Sequence, residues 1–496
     1  MTEETEDRGS NRSQRPDNRE FRQFIGEDWG ERPPGPARAE VADYTVERRR
    51  KLGEQFAGQR LVIPAGELRV RSNDTDYRFR AHSAFAHLTG LGGELEPNAV
   101  LVMHPVEGEE THEAVLYFHP RAARSSEEFW ADSRYGEFWV GARPSLEEMT
   151  AMTGIRTDHI ENLGDAIEKD LGQVQIAAIT QADTKIDAQI EELRQRESLT
   201  SGEVLDTKLA EAASELRLRK DEWEVAEIQK AVDITAQGFS DMIAALPRAV
   251  DHWRGERVLE GAFAARAREE GNGLGYDTIA AAGNHANTLH WIINDGEVKE
   301  GDLVLIDAGA EVDSLYTADI TRTLPVTGTF TNEQTKVYNA VLEACEASLA
   351  KANEKGVKFR QIHEAAMEVI ARYLEEWGCL PGTAEESLAP DGQYHRRWMP
   401  HGTSHHLGLD VHDCAQARRE MYLDAVLEPG MVFTIEPGLY FREDDMKIPA
   451  WLRGIGVRIE DDILVTEDGA VRLSESIPRT VPAVEAWMKD IFEGRG

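Results

Sequence analysis

The residues of this chain best suited to chemistry lie in its carboxyl-terminal half: Asp307, Asp319, His405, Glu436 and Glu460. Asp307 closes an apolar run in DLVLIDAG (302–309), where Leu303 to Ile306 read as a buried strand with a carboxylate at its end. A half-buried charge there needs a partner, although a lone strand-end Asp serves equally well to cap a turn. Asp319 follows in TADITRT (317–323), so a hairpin can return it to Asp307; taken alone, it could instead pair with Arg322. The stretch MPHGTSHHLGLDVHD (399–413) crowds His401, His405, His406 and His412 together, and Gly402 and Gly408 predict a tightly turned, non-helical backbone. Histidines clustered with acidic neighbours signal metal or acid–base chemistry; the alternative is core imidazoles satisfied by backbone groups. Glu436 ends MVFTIE before a Pro437-Gly438 turn. In GIGVRIEDDIL (454–464), alternation sets Val457 and Ile459 on one face and Arg458 and Glu460 on the other.

Four carboxylates and one or two histidines at strand ends repel one another strongly if they share a buried pocket. Divalent cations remove that penalty. An oxygen-rich set with an imidazole suits Mn²⁺ best, with Co²⁺, Zn²⁺ and Fe²⁺ as alternatives. One ion leaves excess negative charge, whereas two balance four carboxylates. Two ions about 3.5–4 Å apart can hold a bridging water as hydroxide and clamp a carbonyl, which is hydrolytic chemistry on an amide or ester.

These side chains must be positioned by strands expected at 303–307, 431–436 and 456–465. A helix should begin at Asp221, with Glu224 as its reciprocal capping partner. Val225, Ile228, Val232, Ala236 and Phe239 then recur at helical spacing and carry it to about residue 246. Further upstream, 61–64, 99–103 and 114–118 read as buried strands and 183–196 as a helix, so this part is mixed α/β. The expected organisation is a polar, disordered amino-terminal extension (1–40), an α/β domain (41–216) and a catalytic domain (217–496). Within the extension, Phe21, Phe24, Ile25 and Trp29 form an apolar island that either docks on the body or has no role.

The bulk properties narrow the function. Across 496 residues, 91 acidic and 55 basic side chains give a net charge of −36, which argues against broad nucleic-acid binding. The three cysteines, Cys345, Cys379 and Cys414, form no C-x-x-C pair, so thiolate zinc sites and a disulfide framework are not expected. No run approaches the ~20 apolar residues that span a bilayer, and the polar first residues lack the core of a secretory signal. A cytoplasmic protein without membrane partners is expected.

Taken together, DAG at Asp307, ADITRT at Asp319, HGTSHHLGLDVHD at His401, IEPG at Glu436 and GVRIEDD at Glu460 resemble the pita-bread metallopeptidases, and within them the Xaa-Pro aminopeptidase (aminopeptidase P) family. RSNDTDYRFRAHSAFAHLTG (71–90) is similar to a stretch marking that family's amino-terminal domain. The resemblance implies an α/β (α+β) protein, with a creatinase-like amino-terminal domain followed by a pita-bread catalytic domain. It implies that Asp307 binds one ion, His405 and Glu436 the other, and Asp319 and Glu460 both. Glu436 would also be the general base. His290 and His412 would hydrogen-bond the tetrahedral oxyanion or the substrate amide, His401 would assist proton transfer, and Arg458 would hold the carboxylates. His406, an extra histidine, is expected to point away from the ions. Homotetrameric relatives complete the site with a tryptophan from a neighbouring subunit, for which Trp139 in FWVGAR is the best match. The implied activity is hydrolysis of the bond between an amino-terminal residue and a following proline, by a dimer or tetramer. Xaa-Pro dipeptidase shares all five ligands and is the nearest alternative. A non-catalytic scaffold of the same fold and a metal-free creatinase-type amidinohydrolase are disfavoured, because the ligands are all present.

Overall fold

The computed structural model of the chain describes residues 18–93, 95–197 and 202–494. The chain divides into two compact units, Met1–Ala213 and Ser214–Gly496.

In the first unit the described residues build a five-stranded mixed sheet. Its order is Arg156–His159, His112–Phe118, Val100–Pro105, Arg60–Pro64 and Ile176–Ala178. The two outer pairings are parallel and the two inner ones antiparallel. Val62, Val100, Val102 and Val115 pack with Ile186 and Ile190 into its core, each buried side chain being worth roughly 1.5–3 kcal/mol. Ile186 and Ile190 belong to the helix Thr184–Arg196, whose first amides are capped by the Asp183 carboxylate. The segment after residue 17 departs from the disordered extension expected of 1–40. Asn18 caps a helix at Arg19–Gly26. Phe21 meets Trp130 edge-on at 5.1 Å, and Trp29 packs against Phe129 and Phe138 at 5.5 and 5.8 Å. Aromatic contacts of this kind attach the segment, although Phe24, Trp29 and Phe138 stay exposed. Residues 1–17 lie outside the described part.

The second unit begins with the helix Glu222–Val250, which starts in the expected reciprocal cap between Asp221 and Glu224. It runs beyond residue 246 because Pro247 sits in its last turn, where the missing N–H costs a single hydrogen bond. It packs on Gly255–Glu270, and a Cβ at Gly238 would lie 2.5 Å from the Phe263 ring, so the two helices cross closely there. A second helix pair is Asn332–Ala352 with Arg360–Glu376. Among the described residues, one three-stranded sheet has the order Ile320–Pro325, Leu303–Ala308, Ile279–Ala282, and another the order Val432–Ile435, Asp461–Thr466, Gly469–Arg472. Gly438–Tyr440 and Gly456–Arg458 form a separate ribbon. The single strand expected over 456–465 is therefore two. Its neighbour is interrupted at Pro437, which cannot donate to a ladder, and Ile459 reaches only the Pro437 carbonyl, at 3.4 Å. Among the described residues, no helix is long and apolar enough to cross a membrane.

Candidate metal centre

The hairpin of Leu303–Ala308 and Ile320–Pro325 brings the first two carboxylates together. Asp307 stands opposite Thr321, so Asp319, two residues before Thr321, shares its face of the sheet. The turn-in depends on Gly309, since a Cβ there would lie 1.8 Å from the Ala318 carbonyl oxygen. Arg322, buried on the opposite face, does not pair with Asp319. Its five N–H groups reach the Asp461 carboxylate and the carbonyls of Pro478, Thr321, Glu460 and Ile477. It thereby ties the strand after Asp319 to the backbone at Glu460.

The turned segment 401–413 lies along Val432–Ile435. Thr434 N–H donates to the His405 carbonyl at 2.9 Å, and Glu436 N–H to the Thr403 carbonyl at 2.8 Å. His405 Nε2 thus stands 3.3 Å from Asp319 Oδ2 and 3.4 Å from Glu436 Oε1. His405 Nδ1 lies 3.1 Å from the His406 carbonyl, which accepts its proton, and Nε2 is the nitrogen turned toward the carboxylates. Glu460 accepts from Thr321 Oγ1 at 2.7 Å through Oε2, while its buried Oε1 has no partner. Ligand atoms of Asp319, His405 and Glu460 lie within 4.8 Å of one another.

All five predicted ligands, together with His290, His401, His412 and Arg458, line one cavity of about 470 Å³. Arg458 Nη2 donates to Asp307 Oδ2 at 2.6 Å and Nη1 to the Tyr440 hydroxyl at 3.1 Å, which in turn donates to His401 Nε2 at 2.7 Å. His412 packs edge-on against His405 at 4.5 Å. His406 points elsewhere: its ring stacks on Phe359 at 4.7 Å and meets Tyr422 edge-on at 4.6 Å. Burial holds that imidazole neutral, down to about 3. Trp139 belongs to the first unit, where its indole N–H donates to the Trp130 carbonyl at 2.8 Å and its side chain is exposed.

Residues that the sequence did not single out complete the site. Tyr276 O lies 2.6 Å from both Asp307 Oδ1 and Asp319 Oδ1. One hydroxyl has one proton and satisfies only one of them at a time. Asp462 is fully buried and accepts the Asp319 N–H at 3.1 Å. Tyr276 stands in no motif that distinguishes it from a core tyrosine, and Asp462, although it closes GVRIEDD, reads there as an ordinary strand Asp.

The electrostatics favour added positive charge. Burial raises the carboxyls of Asp307, Glu460 and Glu436, the last to about 7, with neighbouring carboxylates adding to the effect. Burial would depress His405, but Asp319 and Glu436 push it up to about 9. The unmatched Glu460 oxygen, the doubly contacted Tyr276 hydroxyl and a carboxylate-rich donor set with one imidazole all fit divalent cations.

Comparison with known proteins gives the family and the fold. Residues 226–467 match metallopeptidase family M24, and residues 45–178 match the aminopeptidase P amino-terminal domain. The chain is 49% identical to Xaa-Pro aminopeptidase 1 of Streptomyces coelicolor over 90% of its own length and 87% of the relative. It is 33% identical to the Xaa-Pro aminopeptidase of Escherichia coli, over 91% and 98%. Its fold superimposes on the low-pH form of Escherichia coli aminopeptidase P with a TM-score of 0.79, at 31% identity, covering 91% of this chain and 99% of that one. A product complex of the same enzyme, substituted with Zn, gives the same TM-score of 0.79. The chain belongs to the Xaa-Pro aminopeptidase branch of metallopeptidase family M24.

Proposed function

We propose that this cavity hydrolyses the amide between an amino-terminal residue and a following proline, with Asp307, Asp319, His405, Glu436 and Glu460 holding two divalent ions, for which Mn²⁺ is the best-suited metal and Co²⁺ or Zn²⁺ the alternatives. Asp307 would serve one ion and His405 and Glu436 the other, with Asp319 and Glu460 shared between them. Bound ions would acidify a shared water and polarise the scissile carbonyl. Glu436, which lines the cavity among the proposed ligands, is the general base. It takes a proton from the attacking water and delivers it to the prolyl nitrogen as the C–N bond breaks. His290 and His412 donate to the oxyanion or the substrate amide. His401, linked through Tyr440 to Arg458 and Asp307, assists proton transfer.

An Xaa-Pro bond has no N–H, so a site for it offers apolar surface where another peptidase offers an acceptor. Leu289, Ile292 and Val411 supply such surface in the cavity wall. The observation that carries the reading is the convergence of ligand atoms from Asp319, His405 and Glu460 within 4.8 Å, with a buried Glu460 oxygen unmatched.

The exposed Trp139 ring supports assembly into a homo-oligomer in which it reaches a neighbouring copy's site. Three free, buried cysteines fit a reducing cytoplasmic compartment. The test of function is incubation with Mn²⁺ and either an Xaa-Pro dipeptide or an Arg-Pro-Pro-type longer peptide. Release of the first residue from the longer peptide is expected, and cleavage of the dipeptide alone would make the enzyme a dipeptidase.

A further inference from the structure

Glu256 lies in the first turn of the helix Gly255–Glu270 and is 0% exposed. Such a carboxylate is costly to bury without partners. Here the partners are N–H donors. Oε1 accepts from the Ala282 amide and from His285 Nδ1, each at 2.8 Å. Oε2 accepts from the Trp291 indole at 2.8 Å and the Gly296 amide at 2.7 Å. Four donors fill the four acceptor positions of an ionised carboxylate.

All four donors belong to one loop and its flanks. Ala282 ends the strand that pairs with Leu303–Ala308, and Gly296 closes the loop at the far side. Gly296 N–H bonds the carboxylate while the Glu256 N–H returns a bond to the Gly296 carbonyl at 3.2 Å. A Cβ at Gly296 would lie 2.7 Å from Glu256 Oε2, so the approach requires glycine. Between these ends, His285 and Trp291 stack with ring centroids 3.9 Å apart. His290 is the residue directly before Trp291, and His290, Leu289 and Ile292 are the contribution of this loop to the cavity wall.

We infer that Glu256 is a positioning residue for His290: one buried carboxylate clamps both ends and the middle of the loop that presents that imidazole to substrate. The inference rests on the substrate-contacting role proposed above for His290. Glu256 touches none of the proposed metal ligands, so its effect should reach the reaction through His290 and leave metal loading intact. Replacing the carboxylate by an amide of the same shape turns two accepting positions into donors facing N–H groups, which loosens the loop without opening a cavity.

The test is a double-mutant cycle on the Mn²⁺-loaded enzyme with a fixed Xaa-Pro peptide. Glu256→Gln is expected to lower kcat/KM by roughly 10–100-fold, the scale set by a misplacement of about 1 Å. Trp291→Phe, which removes a single donor, should have a smaller effect of the same sign and serves if Glu256→Gln folds poorly. In a His290→Ala background, either substitution should cost little further, and bound Mn²⁺ per chain should match wild type throughout. Full additivity with His290→Ala, or loss of metal in Glu256→Gln, overturns the positioning role. If His290→Ala alone leaves kcat/KM unchanged, the role proposed for His290 fails first, and the inference with it.

Discussion

At the scale of single residues, the site is a balance of buried charge. Asp307, Asp319, Glu436 and Glu460 face one cavity, with Arg458 as the only permanent cation bonded to the set among the described residues. Removing Asp319 takes away a ligand proposed to serve both ions. Asp319→Ala should therefore abolish hydrolysis of an Xaa-Pro peptide and reduce bound metal, measured by elemental analysis; full activity would overturn the ligand assignment. Tyr440 makes a different prediction. Its hydroxyl joins Arg458 to His401 without belonging to the proposed ligand set. Tyr440→Phe should keep its metal and lower kcat by roughly 10–100-fold, the range typical of groups that orient ligands from one layer out. The histidine cluster was legible in the residues as chemistry, and its division of labour only through the family resemblance, which had His406 turned away from His405's partners. His405 and His406 are chain neighbours, yet one faces three acidic residues and the other an aromatic cage.

At the scale of elements, a buried ionic clamp holds the histidine-bearing segment. Asp413 accepts from Arg217 Nε at 3.0 Å and Lys220 Nζ at 3.1 Å, all three being buried. Lys220 N–H bonds the Gly430 carbonyl at 2.7 Å and Asp413 N–H bonds the His406 carbonyl at 2.9 Å, so the clamp joins the lead-in to the helix Glu222–Val250 with the segment 401–413. Burial alone would raise the Asp413 carboxyl, but Lys220 and Arg217 hold it at about 2. Asp413→Asn removes the carboxylate bonded to both buried cations, leaving Arg217 with Asp410 at 3.8 Å, and should cost about 3–5 kcal/mol of stability near neutral pH, read from denaturant unfolding. The native group titrates below its unfolded value of about 3.9, so its stabilisation is present above that value and lost as pH falls towards 2. The gap between wild type and Asp413→Asn should stay constant from neutrality to about pH 4 and shrink below it. A gap that closed between pH 7 and 5 would show that another group is responsible.

At the scale of the whole molecule, metal and fold are linked. Convergent carboxylates raise the free energy of the folded site, and cations that bind only the folded form stabilise it by mass action, by about 2.7 kcal/mol at a hundredfold excess over Kd. Chelation should abolish activity and lower the melting temperature, and added Mn²⁺ should restore both; an unchanged rate in excess chelator would count against the metal centre. The net charge of −36 favours divalent cations near the surface, but the selective site depends on which acidic groups are buried together.

The sequence alone brought out the residues proposed to carry the chemistry, and their order. Carboxylates at the ends of apolar runs, a turned histidine-rich segment and a reciprocal helix cap are local patterns, and local sterics and burial preferences write them directly into the chain. The helix Arg19–Gly26 falls in the extension expected to be disordered, and the sequence leaves open whether Phe21 and Trp29 dock, because their partners, Trp130 and Phe129, lie about a hundred residues away. For the same reason only the tertiary structure decided that Arg322 pairs with Asp461 instead of Asp319, that one expected strand breaks opposite Pro437, and that Tyr276, Tyr440, Asp462 and Glu256 support the site. Each depends on which donors and acceptors meet once distant segments are packed, and buried polar groups take the partners that the packing supplies.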